Sequence, residues 1–328
     1  MKITAIDKAA RIAIVDCMGA KPDERLLIVS DAGKRDIGLI LFENAKQLGY
    51  FALYCEMPPN ERDGQEPPDE IASLMQQFDV VFCPTSKSLT HTTARRNASL
   101  NGARVATFPG ITKEVMIRGL NADYDKIAAL SIELKEFLEN VDKVRVTSQS
   151  GTDISFSIRG RTAYASKGLF HAKGESGNLP TGETYLALIE GSTNGVFVVD
   201  GSMAGLGLVK NANIRIEVKE GYAVSITGST QAKQLDKILK SVDSPEAYNI
   251  AEFGIGTNYK AKLSGVLLED EKVLGTIHIA LGNNKSMGGN VDVPVHLDGV
   301  VKSPTVWIDD KILMKNGKLQ LAKFRKAE

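Results

Sequence analysis

Glu252, His278, His296 and Asp298 fall in three runs between residues 249 and 298: NIAEFGIGTN, LGTIHIALGNN and VPVHLD. The chain has four histidines, and two of them stand here inside apolar, strand-like stretches. On a strand, His296 and Asp298 point to one face while Leu297 points to the other. An imidazole beside a carboxylate suits a divalent metal. Glu252 and His278 read as further ligands arriving from neighbouring strands. A fourth segment, GESGNLPTGETYLALIEGSTNG over residues 174–195, puts Glu183 just before a strand. Two imidazoles and three carboxylates can hold one divalent ion with groups left for acid–base work, or two ions sharing a carboxylate. Without thiolates, the set suits Zn, Mn, Co or Fe(II). Taken singly, His278 reads equally as a core histidine and His296–Asp298 as a structural pair. The combination, with glycine-rich turns between the runs, favours a metal site.

The elements that must position these groups are of two kinds. Residues 4–18 carry apolar positions at helical spacing, stopped by Gly19 and Pro22. RLLIVSD reads as a buried parallel strand, followed by a helix from about Asp36 to Gly49. Strands are expected over 50–57, 79–86 and 103–110. Helices are expected over 68–77 and 90–99, the latter with Thr90 as N-cap, and a short one from Thr112. Strand alternating with helix implies a parallel sheet wound with helices, whose ligand-facing residues gather beyond the strand carboxyl ends. The first turn, SDAGKRDIG, has neither GxGxxG nor a P-loop, which argues against a nucleotide site.

A long helix from Asp123 to Asn140 reads as the bridge between two domains. Beyond it KVRVTS and DISFSIR alternate as a hairpin. The rest is strand and turn, apart from a helix over 231–241 and a terminal hairpin at Asn316-Gly317. The expectation is an α/β domain with a parallel sheet over 1–142 and a β-rich α+β domain carrying the metal site over 143–328.

Lys+Arg and Asp+Glu are both 40, so the formal charge is zero and no nucleic-acid or membrane partner is implied. Cys17, Cys55 and Cys83 are odd in number and without ligand spacing, which fits reduced thiols in a cytoplasmic protein. The charged start MKITAIDKAARIAIV is unlike a signal peptide, and no apolar run approaches the roughly 20 residues of a membrane span.

In order, NLPTGE, EGSTNG, AEFGIGTN, GTIHIALG and HLD resemble the aminopeptidase T family of metallo-aminopeptidases. The resemblance implies two metal ions held by Glu183, Glu252, His278, His296 and Asp298, a peptide or other small-molecule substrate, and a homodimer. It departs after the ALG run, where those peptidases carry a tyrosine and this chain has Lys285 or a neighbour in NNKSMGG. The THTTARRNA segment is similar to a second branch of the superfamily, the dihydroxypyridine ring-cleaving dioxygenases, which use one Fe(II). That likeness implies His278, His296 and Asp298 as a two-His-one-carboxylate triad, with His91 or His171 as the catalytic base. As plain residues, His91 reads as a surface residue at a helix start and His171 as a loop histidine. Arg95 and Arg96 suit either a substrate carboxylate or a solvated helix face. GSMAGLG, over 201–207, suits a close backbone approach or ordinary tight turns.

The leading expectation is an aminopeptidase-like hydrolase working through metal-activated water, with Zn, Co or Mn and with Glu183 or Glu252 taking the proton. The alternatives are the one-Fe(II) dioxygenase and a metal-binding scaffold without catalysis.

Overall fold

The strand Arg25–Asp31 is buried at every residue after the first, the pattern of a strand covered on both faces. It is an inner strand, the second of a five-stranded parallel sheet with the spatial order Phe51–Met57, Arg25–Asp31, Val80–Cys83, Arg104–Thr107 and Ser176–Asn178. The structure is a computed structural model that describes residues 3–323. Its chain divides into two units: residues up to 128 with 167–181, and residues 129–166 with those from 182 onward.

In the first unit the helices Ala5–Arg11, Arg35–Gln47, Asp69–Met75, Thr93–Leu100 and Lys113–Leu120 alternate with the strands. The helix expected over 4–18 is capped by Thr4 in a capping box with Asp7, and passes into a π-helix over Ile12–Cys17. Leu27, Val29, Val81, Cys83 and Val105 pack with Ile71, Met75, Leu89 and Ala98 in one apolar core. A division near residue 142 does not describe this unit. Residues 167–181 return to it and supply its fifth strand, the three-residue segment Ser-Gly-Asn, too short and too polar to show as a strand in the sequence.

The helix Thr93–Leu100 is capped by Thr92 rather than Thr90. Thr92 Oγ1 accepts the Arg95 N–H and donates to the Leu89 carbonyl. Thr90 instead joins Ser88, Thr107 and Asn178 in a hydrogen-bonded cluster. Thr92→Ala is expected to lower stability by roughly 0.5–2 kcal/mol, and Thr90→Ala to leave this helix cap intact. Urea unfolding of both variants checks the assignment.

The second unit is antiparallel and β-rich. One sheet of eight strands runs from Tyr222–Gly228 to Lys318–Leu319 and includes the expected hairpin of Lys143–Thr147 with Asp153–Ser157. The other sheet has seven strands in the order Gly207–Leu208, Ser202–Met203, His296–Lys302, Thr276–Gly282, Ile250–Gly256, Glu183–Ala187 and Tyr164–Ser166. Alternate residues of both sheets meet in one core: Val144, Val146, Ile154 and Phe156 from the first, and Leu186, Phe253, Ile255, Ile277 and Ile279 from the second. The rings of Phe156 and Phe253 lie 5.3 Å apart. Leu235 and Leu239 of the helix Thr230–Lys240 close the same core. The terminal hairpin turns at Asn316-Gly317, both with positive φ, as an Asn-Gly hairpin requires. Fold class is therefore a parallel α/β region followed by an antiparallel β-rich region. No helix among the described residues is long and apolar enough to cross a membrane.

Candidate metal centre

Strand register brings the metal-type residues together. Glu183 pairs with Gly256, His278 with Gly254, Ala280 with both Glu252 and Asp298, and Gly282 with His296. Directly paired residues share a face, and alternate residues along a strand return to it. Glu183, Glu252, His278, His296 and Asp298 therefore project from the face of the seven-stranded sheet opposite the apolar core. Glycine opposite His278 is a steric requirement. A Cβ on Gly254 would lie 2.0 Å from His278 Nε2, so the missing side chain is the space the imidazole occupies.

The side chains form a row. His278 Nε2 is 3.6 Å from Glu183 Oε2 and 3.1 Å from Glu252 Oε1. His296 Nε2 is 3.1 Å from Glu252 Oε2 and 3.5 Å from Asp298 Oδ1. His296 Nδ1 is 2.7 Å from the Asn283 carbonyl. A carbonyl only accepts, so Nδ1 carries the hydrogen and Nε2 faces the two carboxylates. A lone pair aimed at two anions needs a cation between them, either a proton or a metal. The Nδ1 bond is also the kind that fixes a ligating histidine.

Charges follow the same geometry. Burial opposes the imidazolium forms of both histidines, but the carboxylates prevail. Glu252, with Glu183 and Asp298, pushes His278 up to about 9, and Asp298 with Glu252 holds His296 well above its usual value. Burial also opposes ionised Asp298, yet His296 keeps that carboxyl well below the usual carboxylate range. Glu252 is lowered, against its burial, by its hydrogen bonds to the two histidines.

The donor set fits one divalent ion. Ligand atoms of Glu252, His296 and Asp298 lie within 4.8 Å of one another, and Asp298 Oδ1 is buried without a hydrogen-bond partner. A buried anionic oxygen without a hydrogen bond, facing only the His296 ring at 3.5 Å, is an acceptor that a bound cation would complete. This grouping differs from the triad of two histidines and Asp298 expected from the sequence. The compact group has Glu252 where that triad has His278, and His278 Nε2 lies 3.1 Å from Glu252 Oε1.

Lys272 joins the row without having been singled out in the sequence. It lies in VLLEDEKVLG, which reads as a solvated charge run, yet Glu269, Asp270 and Lys272 are all buried. Lys272 Nζ donates to Glu183 Oε1 at 2.6 Å and also bonds Glu271. Burial opposes its charge, but Glu183 and Glu271 hold the ammonium above the ordinary lysine range. Glu271 rises to about 7, burial outweighing the lysine's attraction. The other two acids tie down the preceding loop: Glu269 accepts the Lys262 N–H, and Asp270 those of Ser264 and Gly265. Tyr185 also stands on the site's face, paired with Gly254 and stacked on Tyr164 at 5.5 Å.

His91 and His171 belong to the first unit and are exposed. The His91 carbonyl accepts from Arg96, and His171 Nε2 donates to the Asp16 carbonyl at 2.8 Å with its ring over Gly19. Arg95 is committed to the Thr90 carbonyl and Ser176 Oγ. Lys285 is exposed and paired with Asp292. GSMAGLG supplies the short strand Ser202–Met203 and the start of the edge strand Gly207–Leu208, beside a pocket of about 280 Å³ lined by Ser202, Gly207, Gly265 and Asp270.

Two solved structures share the fold. A 2,5-dihydroxypyridine dioxygenase from Pseudomonas putida KT2440 has a TM-score of 0.82 at 18% identity, covering 97% of this chain and 98% of that one. Wild-type AmpT from Thermus thermophilus has a TM-score of 0.69 at 18% identity, covering 96% and 99%. Among curated proteins, the 2,5-dihydroxypyridine 5,6-dioxygenase of Pseudomonas putida is 26% identical over 215 residues. That match spans 62% of this chain and 61% of the relative's length. The model of the family described as NicX, 2,5-dihydroxypyridine 5,6-dioxygenase, matches residues 17–321. The family model and the curated relative overturn the aminopeptidase-like hydrolase expected as the leading function. The hydrolase expectation rested on the likeness of five motifs to the aminopeptidase T family, and motifs that carry a metal donor set do not by themselves specify a reaction. With nearly its whole length matched, the chain belongs to the 2,5-dihydroxypyridine 5,6-dioxygenase family.

Proposed function

We propose that the protein is a ring-cleaving dioxygenase that uses a single Fe(II) and acts on a small dihydroxylated aromatic ring, with 2,5-dihydroxypyridine as the first substrate to test. The family match over residues 17–321 carries this reading. The cluster of one imidazole and two carboxylates supports it, because such mixed N/O sets suit Fe(II). The homodimer implied by the family resemblance belongs to the same proposal, and light scattering tests it.

Glu252, His296 and Asp298 would hold the ion. Bound iron would supply the one-electron chemistry by which O2 reacts with an aromatic ring. The Asn283 carbonyl fixes the His296 ring so that Nε2 faces the carboxylates. His278 holds Glu252 Oε1, leaving Oε2 towards His296. Both atoms of O2 enter the product across one ring carbon–carbon bond, so no further oxidant or reductant is needed.

The test is anaerobic loading with one equivalent of Fe(II), followed by 2,5-dihydroxypyridine in aerated buffer. One O2 should be consumed per ring lost, with the ring absorbance falling in step, and an iron chelator should stop both. Absence of O2 uptake with this compound, with its dihydroxypyridine isomers and with dihydroxybenzenes would sink the proposal.

A further inference from the structure

The row of ligand-type side chains does not end at Glu183. Beyond it stands Lys272, whose side chain is 3% exposed. Its Nζ lies 2.6 Å from Glu183 Oε1 and also bonds Glu271. The sequence of contacts is thus ammonium, Glu183, His278, Glu252, His296 and Asp298. Glu252, His296 and Asp298 form a compact donor group at one end. Glu183, His278 and Glu271 would form a second group at the other, but there a lysine already stands among the carboxylates.

The fold delivers that lysine deliberately. Gly256 is the strand partner of Glu183. A Cβ on Gly256 would lie 2.2 Å from the Val273 carbonyl oxygen and 2.7 Å from the Lys272 carbonyl carbon, so glycine there admits segment 272–273 against the sheet. The Asn258 N–H then donates to the Lys272 carbonyl at 2.8 Å, and the Lys272 N–H to the Glu269 carbonyl at 3.0 Å. The backbone of Lys272 is held at both ends.

We propose that Lys272 is a built-in cation occupying the second metal position, and that it restricts the centre to one divalent ion. The inference rests on the reading that Glu252, His296 and Asp298 hold a metal. Four carboxylates (Glu183, Glu252, Glu271 and Asp298) share this buried region. A second divalent ion would have to displace the ammonium from Glu183 and Glu271 and leave it buried without a counter-charge, which is strongly unfavourable. Replacing the lysine by a neutral side chain frees Glu183 and Glu271 to act with His278. Five side chains that could serve two metals then serve one metal and one lysine.

The experiment is metal stoichiometry, with Zn(II) as a redox-silent probe. Wild-type protein, Lys272→Met and Lys272→Arg are dialysed against excess Zn(II), then against buffer, and analysed by mass spectrometry for zinc per chain. The expected values are about one for wild type, about one for the arginine variant and about two for the methionine variant, following the one-cation-for-one-cation exchange. Circular dichroism reports whether each variant is folded. If Lys272→Met does not fold, Lys272→Gln keeps a hydrogen-bonding group without the charge and should take up two. A folded neutral variant that stays at one overturns the role of Lys272, and so does a wild type that takes two. A folded wild type that takes none overturns the metal reading itself, and this inference with it.

Discussion

Asp298→Ala should abolish metal retention. Asp298 is 5% exposed, and its Oδ1 has no hydrogen-bond partner. That oxygen lies 3.5 Å from His296 Nε2, so deletion leaves only Glu252 and His296 of the three-residue group. Losing a partner that merely orients a ligand typically costs roughly 10–100-fold in affinity or activity. Losing a ligand should exceed this, so turnover of the variant assayed with added Fe(II) is expected to fall by at least about 100-fold. A second readout is independent of turnover. An ion that binds only the folded state stabilises it by about 2.7 kcal/mol at 100 times its dissociation constant. Wild type should show that upward shift in thermal unfolding with Zn(II), and the variant should not. Equal metal content and equal shifts in both proteins would remove Asp298 from the centre.

Gly254→Ala should destabilise the protein, although glycine-to-alanine changes in tolerant backbones usually stabilise. Gly254 is not among the positive-φ glycines, so restricting the unfolded chain would favour alanine by roughly 0.4–1 kcal/mol. Against this, the new Cβ would lie 2.0 Å from His278 Nε2 and 2.2 Å from its Cε1. The imidazole is fully buried and bonded to Glu252, so it cannot swing into solvent. Overpacking of this kind costs roughly 1–3 kcal/mol, and the steric effect wins. Urea unfolding should show a lower midpoint with an unchanged slope. Metal affinity should fall too, because a displaced His278 no longer holds Glu252. A midpoint at or above the wild-type value would mean that the ring has room to move.

Much of the centre is legible along the chain because β structure has a period of two. His296 and Asp298, two apart in an apolar strand, have to share a face, and Glu183, Glu252 and His278 each stand in or at the edge of a strand-like run. The alternation of strand and helix likewise marks the first unit as a parallel sheet. Local pattern fails where pairing is non-local. Nothing in Ser-Gly-Asn at 176–178 announces a strand, and its partner Arg104–Thr107 lies some seventy residues earlier. Lys272 fails for a related reason. A run of acidic residues and lysine is ordinarily a solvated face, and only the carboxylates that meet it in space make its burial tolerable.

The two textures of the chain, the five metal-type side chains and their placement on strands can be read along the chain, because side-chain alternation is a local property. Which three of the five form the compact group, and which cation stands at the other end of the row, are decided by strand register and by the space left at Gly254 and Gly256. Those are contacts between segments tens of residues apart. Folding brings Lys272 onto Glu183 and leaves Asp298 Oδ1 without a hydrogen bond, 3.5 Å from His296 Nε2.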